Sequence, residues 1–327
     1  MSKRVLVTGG TGFLGSALVK RLAASGHAVR VLDDDSRGAS RRLAGVSGVE
    51  QVSGDVRDPV VVARAVAGVD AVWHLASVNG TEHFYSRPEL VLEVGVKGIM
   101  NVLDGCLAHG VGELFVASSS EVYQTAPVVP TDESVPLSIP DPLNPRYSYA
   151  AQKLISEILA VNYGRKHFSR VVIFRPHNVY GPDMGGEHVI PQLVLRMRDA
   201  CAATPTGPVR FEIQGDGAQT RAFIYVDDFI DALEVLAARG EHRTIYHVGS
   251  MEETAIGALA RAVGRHFGRE IELVTTPEPA GGTRRRCPDT ARLAGLGFAT
   301  RTSLADGLAR TARWYVEHAS GVRGGGT

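Results

Sequence analysis

The chain has 327 residues, with 35 Lys+Arg balanced by 35 Asp+Glu and 44% hydrophobic residues. That length can bury a sizeable core in one or two domains. The neutral balance argues against a general nucleic-acid or polyanion binder, so any anion site must be local. No apolar run approaches the ~18 residues that suggest a membrane span. The three cysteines, Cys106, Cys201 and Cys287, lie far apart without metal-ligand spacing. With no signal-peptide pattern at the N-terminus, we expect a reduced, cytoplasmic protein without a metal centre.

In chain order, residues 4–7 read as a buried strand, followed by a glycine-rich turn and an apolar-periodic helix over 14–24. Strands follow at 28–32, 49–52, 71–75, 114–117 and 170–174, with helices at 60–67, 90–109 and 148–167. The strands are short continuous apolar runs, the pattern of a parallel sheet covered by helices on both faces. Residues 127–145 are proline-rich and read as a surface loop. Beyond Pro176 the alternation loosens, with strands at 209–213 and 244–248 and helices at 189–202, 226–238 and 256–267. The expected fold class is α/β. A doubly wound parallel (Rossmann) sheet over residues 1–175 precedes a smaller C-terminal α/β substrate domain over 176–320. Residues 244–250 are expected to return to the first domain, and 321–327 form a frayed glycine-rich tail.

The segment Val5-Leu-Val-Thr-Gly-Gly-Thr-Gly-Phe-Leu-Gly15 carries the strongest chemical signal. Gly9 permits a tight turn, Gly12 lets a ligand approach the backbone, and Gly15 allows close helix–strand packing, which together suit a pyrophosphate at a helix N-terminus. Gly9, Thr11, Gly12, Phe13, Leu14 and Gly15 are therefore assigned to dinucleotide binding. Asp33 closes the second strand, eighteen residues past Gly15. A carboxylate there accepts hydrogen bonds from an adenosine ribose and repels a 2′-phosphate, which favours NAD over NADP. Arg37 nearby keeps the phosphate-binding reading open.

Tyr149 and Lys153 are spaced i, i+4 on a helix, so phenol and ammonium share a face. The ammonium is expected to lower the tyrosine pKa toward neutrality, making it a base for a sugar hydroxyl. The bland alternative is an exposed pair. Ser119, Ser120 and Glu121 follow a strand at the C-terminal edge of the sheet, where open α/β sheets bind ligands. A serine there is expected to bond the reacting hydroxyl. Glu121 is a candidate second acid/base, against a reading as a solvated or capping carboxylate.

With these motifs in place, the chain resembles the extended short-chain dehydrogenase/reductases that act on nucleotide sugars. The resemblance rests on TGGTGFLG, the LDD acid segment, Gly54-Asp55-Val56, Trp73-His-Leu-Ala76, SSSEVY and YxxxK. Phe174-Arg-Pro-His-Asn-Val-Tyr-Gly-Pro182 and Gln219-Thr-Arg-Ala-Phe-Ile-Tyr-Val-Asp-Asp228 extend it over nearly the whole chain. The resemblance implies that Asp55 and Val56 edge the adenine, and that Leu75 and Ala76 lie along the NAD. Lys153 would bond the nicotinamide ribose, and Pro176 and Asn178 would border nicotinamide and sugar diphosphate. Arg221 would clamp that diphosphate, the alternative being an ion pair with Asp227 or Asp228. Asn79 and His177 are expected on the substrate side. The chain departs from the pattern at Gly95, where relatives carry an asparagine that ties the site together, so another contact must replace it here. Gln124 stands where they usually have glycine, and Asn79-Gly-Thr81, His177 and Glu187-His188 are also distinctive.

The family's members begin by oxidising C4 of the sugar. Glu121 resembles dehydratases and decarboxylases, and Arg146 resembles decarboxylases. Against these stand the segment around Asn79 and Ser120, which occupies the place of a dehydratase aspartate. The reading is therefore a 4-epimerase acting on a nucleotide-diphosphate sugar, with a dehydratase or UDP-glucuronate-type decarboxylase as the alternative and a non-catalytic dinucleotide binder as a remote one. The resemblance also implies a homodimer, paired through the helices at 90–109 and 148–167.

Overall fold

The computed structural model describes residues 2–277 and 283–318. The expected tail, 321–327, lies outside them. The central sheet has seven strands: β1 (Arg4–Thr8), β2 (Ala28–Asp33), β3 (Val49–Ser53), β4 (Ala71–His74), β5 (Glu113–Ala117), β6 (Arg170–Pro176) and β7 (Thr244–Val248). Their spatial order is β7-β6-β5-β4-β1-β2-β3, and every pairing is parallel. The order reverses beside β1, which leaves a crevice at the carboxyl ends of β1 and β4, the usual ligand position in such a sheet.

Strand alternation explains the two-sided core. Val5, Val7, Trp73, Phe115 and Phe174 pack on one face, and Leu6, Val72, Leu114, Val116 and Ile173 on the other. Trp73 stacks on Phe115 with ring centroids 4.0 Å apart. The first of these clusters runs on into the C-terminal half through Val194, Met197, Phe211, Phe229, Leu259 and Tyr315. The two halves therefore share a core.

The crossover helices on the sheet are α1 (Phe13–Ala24), α2 (Pro59–Val66), α3 (Gly98–His109) and α4 (Ser148–Tyr163). Asp58 starts α2 by accepting from Val60 N–H at 2.8 Å, with Pro59 in the first turn. The helix expected over 90–109 runs unbroken from residue 88 to residue 109, with a π turn at Glu93–Lys97 between Pro88–Leu92 and α3. α4 stops at Tyr163 before Gly164, four residues earlier than expected.

In the C-terminal half, Val209–Gln214 pairs in parallel with Ile271–Thr276. Thr220–Ala222 lies between Glu253–Ala255 and Arg285–Arg286. The last two strands are too short to leave a periodic signal. Helices Val189–Ala203 and Ile256–His266 pack on the strands of this half, Leu304–Glu317 packs on those two helices, and Val226–Arg239 packs on α1. Among the described residues no helix is long and apolar enough to cross a membrane, and no cluster of His, Cys, Asp and Glu could hold a metal ion.

Candidate active site

The glycine turn is built by close approach. Gly9 has φ 71°, and its N–H donates to Leu32 O at 2.9 Å. A Cβ on Gly9 would stand 2.8 Å from Ala76 N, and one on Gly15 only 2.0 Å from Gly9 O. Gly12 precedes α1 without a side-chain cap, so the first amides of that helix are left to a ligand. Asp33 takes Thr11 N–H at 2.9 Å and Asp35 N–H at 3.0 Å. Its carboxylate is thus fixed at the tip of β2, with lone pairs left for a ribose.

A cavity of about 680 Å³ starts here and runs along the sheet edge. Gly9, Gly12, Phe13, Leu14, Gly15, Asp33, Asp55, Val56, Leu75, Ala76 and Pro176 line it. Asn79, Ser119, Ser120, Glu121, Tyr149, Lys153 and Asn178 line the same cavity. An uncapped helix N-terminus, a cradle that a Cβ would fill and a carboxylate fixed at the tip of β2 in one cavity fit a dinucleotide. Three expected site residues are absent from this wall. Thr11 is buried behind the turn, its hydroxyl donating to Asp35 at 2.7 Å. His177 is 1% exposed and packs edge-on against His247, because the strand end that turns Pro176 and Asn178 to the cavity turns His177 inward. It is therefore corrected from a sugar contact to a buried histidine, held uncharged by burial and by neighbouring His247, Arg286 and Arg175. Arg221 sits on Thr220–Ala222 and bonds Thr220 O at 2.8 Å. Asp228, the alternative partner considered for it, instead caps the backbone of Arg301 and Thr302.

Tyr149 is buried under Phe84, whose ring stacks on it at 4.9 Å. Phe84 comes from the short helix Thr81–Ser86, which the sequence did not reveal. Ser119 hydrogen-bonds the phenol. Lys153 Nζ lies 5.8 Å from the Tyr149 ring centroid and donates to Ala117 O at 2.7 Å. The expected downward shift of the tyrosine is not found. Burial pushes the phenol above its ordinary value, the Ser119 bond offsets part of that, and the Glu121 charge adds to it. Burial also pulls the Lys153 ammonium down to about 8, with Glu157 opposing. Glu157 is itself clamped, taking Arg175 Nε at 2.8 Å and Nη2 at 2.6 Å and a short bond from Ser118. Arg175 and Glu157 are both buried, so this ion pair is a fixed charge support behind Lys153.

Glu121 is paired with Arg286. Burial raises its carboxyl, but Arg286, Arg146 and Arg221 outweigh it, and the net shift is downward. Arg286 lines the cavity. It was missed because it lies 165 residues from Glu121, in a two-residue strand without a motif. Gln124, in the place of a glycine, adopts φ 52° and donates its side-chain amide to Glu121 O at 2.7 Å, which holds the turn that presents Glu121.

The contact that replaces the missing asparagine is also visible. Gln152, 1% exposed, lies over Gly95 in the π turn, where a Cβ would come within 2.1 Å of its Oε1. Its Nε2 reaches Ser77 Oγ at 3.2 Å, so it ties α4 to the cavity wall after β4.

Residues 5–249 match the model of the NAD dependent epimerase/dehydratase family. The chain is 31% identical to a dTDP-glucose 4,6-dehydratase of Streptomyces griseus, across 98% of this chain and 96% of the relative. It is also 31% identical to a UDP-glucose 4-epimerase of Mycolicibacterium smegmatis, across 95% and 98% of the two chains. The crystal structure of the dTDP-glucose 4,6-dehydratase DesIV from Streptomyces venezuelae with NAD bound superposes with a TM-score of 0.84 at 32% identity, covering 97% of this chain and 98% of that one. The chain belongs to the NAD-dependent epimerase/dehydratase family, and its cofactor is NAD.

Proposed function

We propose that this enzyme is a nucleotide-sugar 4-epimerase working through a transient 4-keto sugar. The observation that carries this reading is the unequal equipment of the cavity. Tyr149, Ser119 and Lys153 form a complete unit for moving one proton at a sugar hydroxyl. The neighbouring carboxylate, Glu121, is tied to Arg286, with a serine rather than an acid at position 120. Elimination needs both a base and an acid beside the sugar ring, and position 120, next to Glu121, carries a hydroxyl in place of a second carboxyl group.

In this mechanism Tyr149 works as a phenolate, a form that Lys153 and the positive charge of bound NAD would favour by releasing the phenol proton to solvent. Its Oη accepts the C4 hydroxyl proton, with Ser119 holding that oxygen in line. NAD, when bound, supplies the acceptor and later the donor of the C4 hydride. Lys153 keeps a positive charge beneath the phenol and orients the ribose above it, steadied by Ala117 O and the Glu157–Arg175 pair. The keto-sugar rotates so that the hydride is returned to the opposite face of C4, and Tyr149 returns the proton to the C4 oxygen. Residues 1–175 serve as the nucleotide half and 176–320 as the sugar-binding half, with Asn79 and Asn178 on the substrate and Arg221 near its diphosphate. Ile158, 54% exposed, and Ile155 on α4, with Leu92 on Pro88–Leu92, offer an apolar face for pairing two copies into a homodimer. Three unpaired cysteines suit a reducing, cytoplasmic setting.

A dehydratase is the second reading, because Glu121 is held ionised and could take a C5 proton. Turnover of a panel of nucleotide sugars in deuterated water separates the two. A 4-epimerase leaves no deuterium on carbon, and stoichiometric carbon-bound deuterium in the product replaces our reading with the second.

A further inference from the structure

Arg37 lies four residues beyond Asp33, in the loop where an arginine can accommodate the 2′-phosphate of NADP. Its guanidinium is turned across the cavity instead. Nη2 pairs with Glu187 and Nη1 contacts His83 Nε2. Glu187 belongs to the other half of the chain, in the segment between strand Val179–Tyr180 and helix Val189–Ala203. Arg37 and Glu187 both line the cavity together with Asp33, Asp34 and Ser36. The segment is anchored independently of this pair. Arg42 holds Asp183 through Nε at 2.9 Å and Nη2 at 3.0 Å, and donates to the Asp183 carbonyl at 2.8 Å and the Thr11 carbonyl at 3.0 Å. Tyr315 fixes the same segment, accepting from Met184 N–H at 3.0 Å and donating to Gly185 O at 2.9 Å. Glu187 is thus presented to Arg37 by a braced strap.

We propose that Glu187 is a specificity-determining residue that enforces NAD over NADP by occupying Arg37. A 2′-phosphate brings close to two negative charges at neutral pH and needs a charge-assisted partner. To serve it, Arg37 must leave Glu187 and strand that carboxylate beside the phosphate, with Asp33 also nearby. A 2′-hydroxyl is neutral, so with NAD the pair stays intact. Two carboxylates from opposite halves of the chain then share the discrimination, Asp33 by repulsion and Glu187 by sequestering the cation.

The test is direct binding of NAD and of NADP by calorimetry at low ionic strength, for the wild type, Glu187→Gln, Arg37→Ala and the double variant. Glu187→Gln should tighten NADP about tenfold while NAD changes by less than about twofold, the scale of a charge-assisted hydrogen bond partly screened by solvent. Adding Arg37→Ala should erase that gain. An unchanged NADP-to-NAD ratio in Glu187→Gln overturns the proposal, and so does a gain that survives loss of Arg37. Retained NAD binding reports that each variant is folded. No turnover is measured, so the result is independent of whether the enzyme is an epimerase.

Discussion

Replacing Gly95 with alanine tests how α4, which carries Tyr149 and Lys153, is seated. The new Cβ would lie 2.1 Å from Gln152 Oε1, 2.5 Å from its Cδ and 2.7 Å from its Cβ. The clash involves the root of the side chain as well as its tip, and Gln152 is 1% exposed, so rotation alone cannot clear it. Overpacking of this kind costs about 1–3 kcal/mol. The better helix propensity of alanine returns about 1 kcal/mol. The net expectation is a loss of about 0–2 kcal/mol, the difference of those two figures. In a Gln152→Gly background, which removes the Gln152 Cβ as well, the obstruction is gone and only the propensity gain remains. Gly95→Ala should then stabilise by up to about 1 kcal/mol. Urea unfolding of the four proteins gives the coupling directly, and we expect about 1–3 kcal/mol. Additivity within about 0.5 kcal/mol would refute the reasoning, since it would mean that Gln152 does not fill the space over Gly95.

Two further outcomes follow from the charges around Tyr149. Tyr149→Phe should keep NAD binding and lower turnover by ~100–10,000-fold, the usual range for a lost general base; near-wild-type kcat would exclude the phenol as the proton acceptor. Glu157→Gln should cost about 3–5 kcal/mol in denaturant unfolding, because it leaves the buried Arg175 guanidinium without its carboxylate. The pH dependence follows from Lys153, whose ammonium is pulled by burial from 10.5 to about 8. Between those values the unfolded chain holds a proton that the folded one has released, so this group makes stability rise with pH while turnover falls. Removing the Glu157 charge removes the opposing upward pull, so the alkaline limb of the rate profile should move to lower pH. A limb unmoved in Glu157→Gln would show that it does not report Lys153.

The sequence by itself determined the parts of this protein that depend on short spacings. The glycine turn, the acid closing β2 and the i, i+4 tyrosine and lysine each act through neighbours a few residues away. Local pattern therefore sufficed to mark the glycine turn and the helix that brings Tyr149 and Lys153 to the cavity. The apolar strand runs were legible for the same reason, since a doubly covered parallel strand needs only to be apolar throughout. What only the tertiary structure decided are the contacts between distant segments and the consequences of burial. Arg286 reaches Glu121 across 165 residues, and Glu187 reaches Arg37 across 150; neither pairing has a local signature. The π turn at Gly95 exists beside an amide carried on another helix. His177 faces inward although both its neighbours line the cavity. The acidity of Tyr149 turned out opposite to the expectation from its lysine, because a charge four residues away is a sequence property, whereas desolvation depends on everything folded around the phenol.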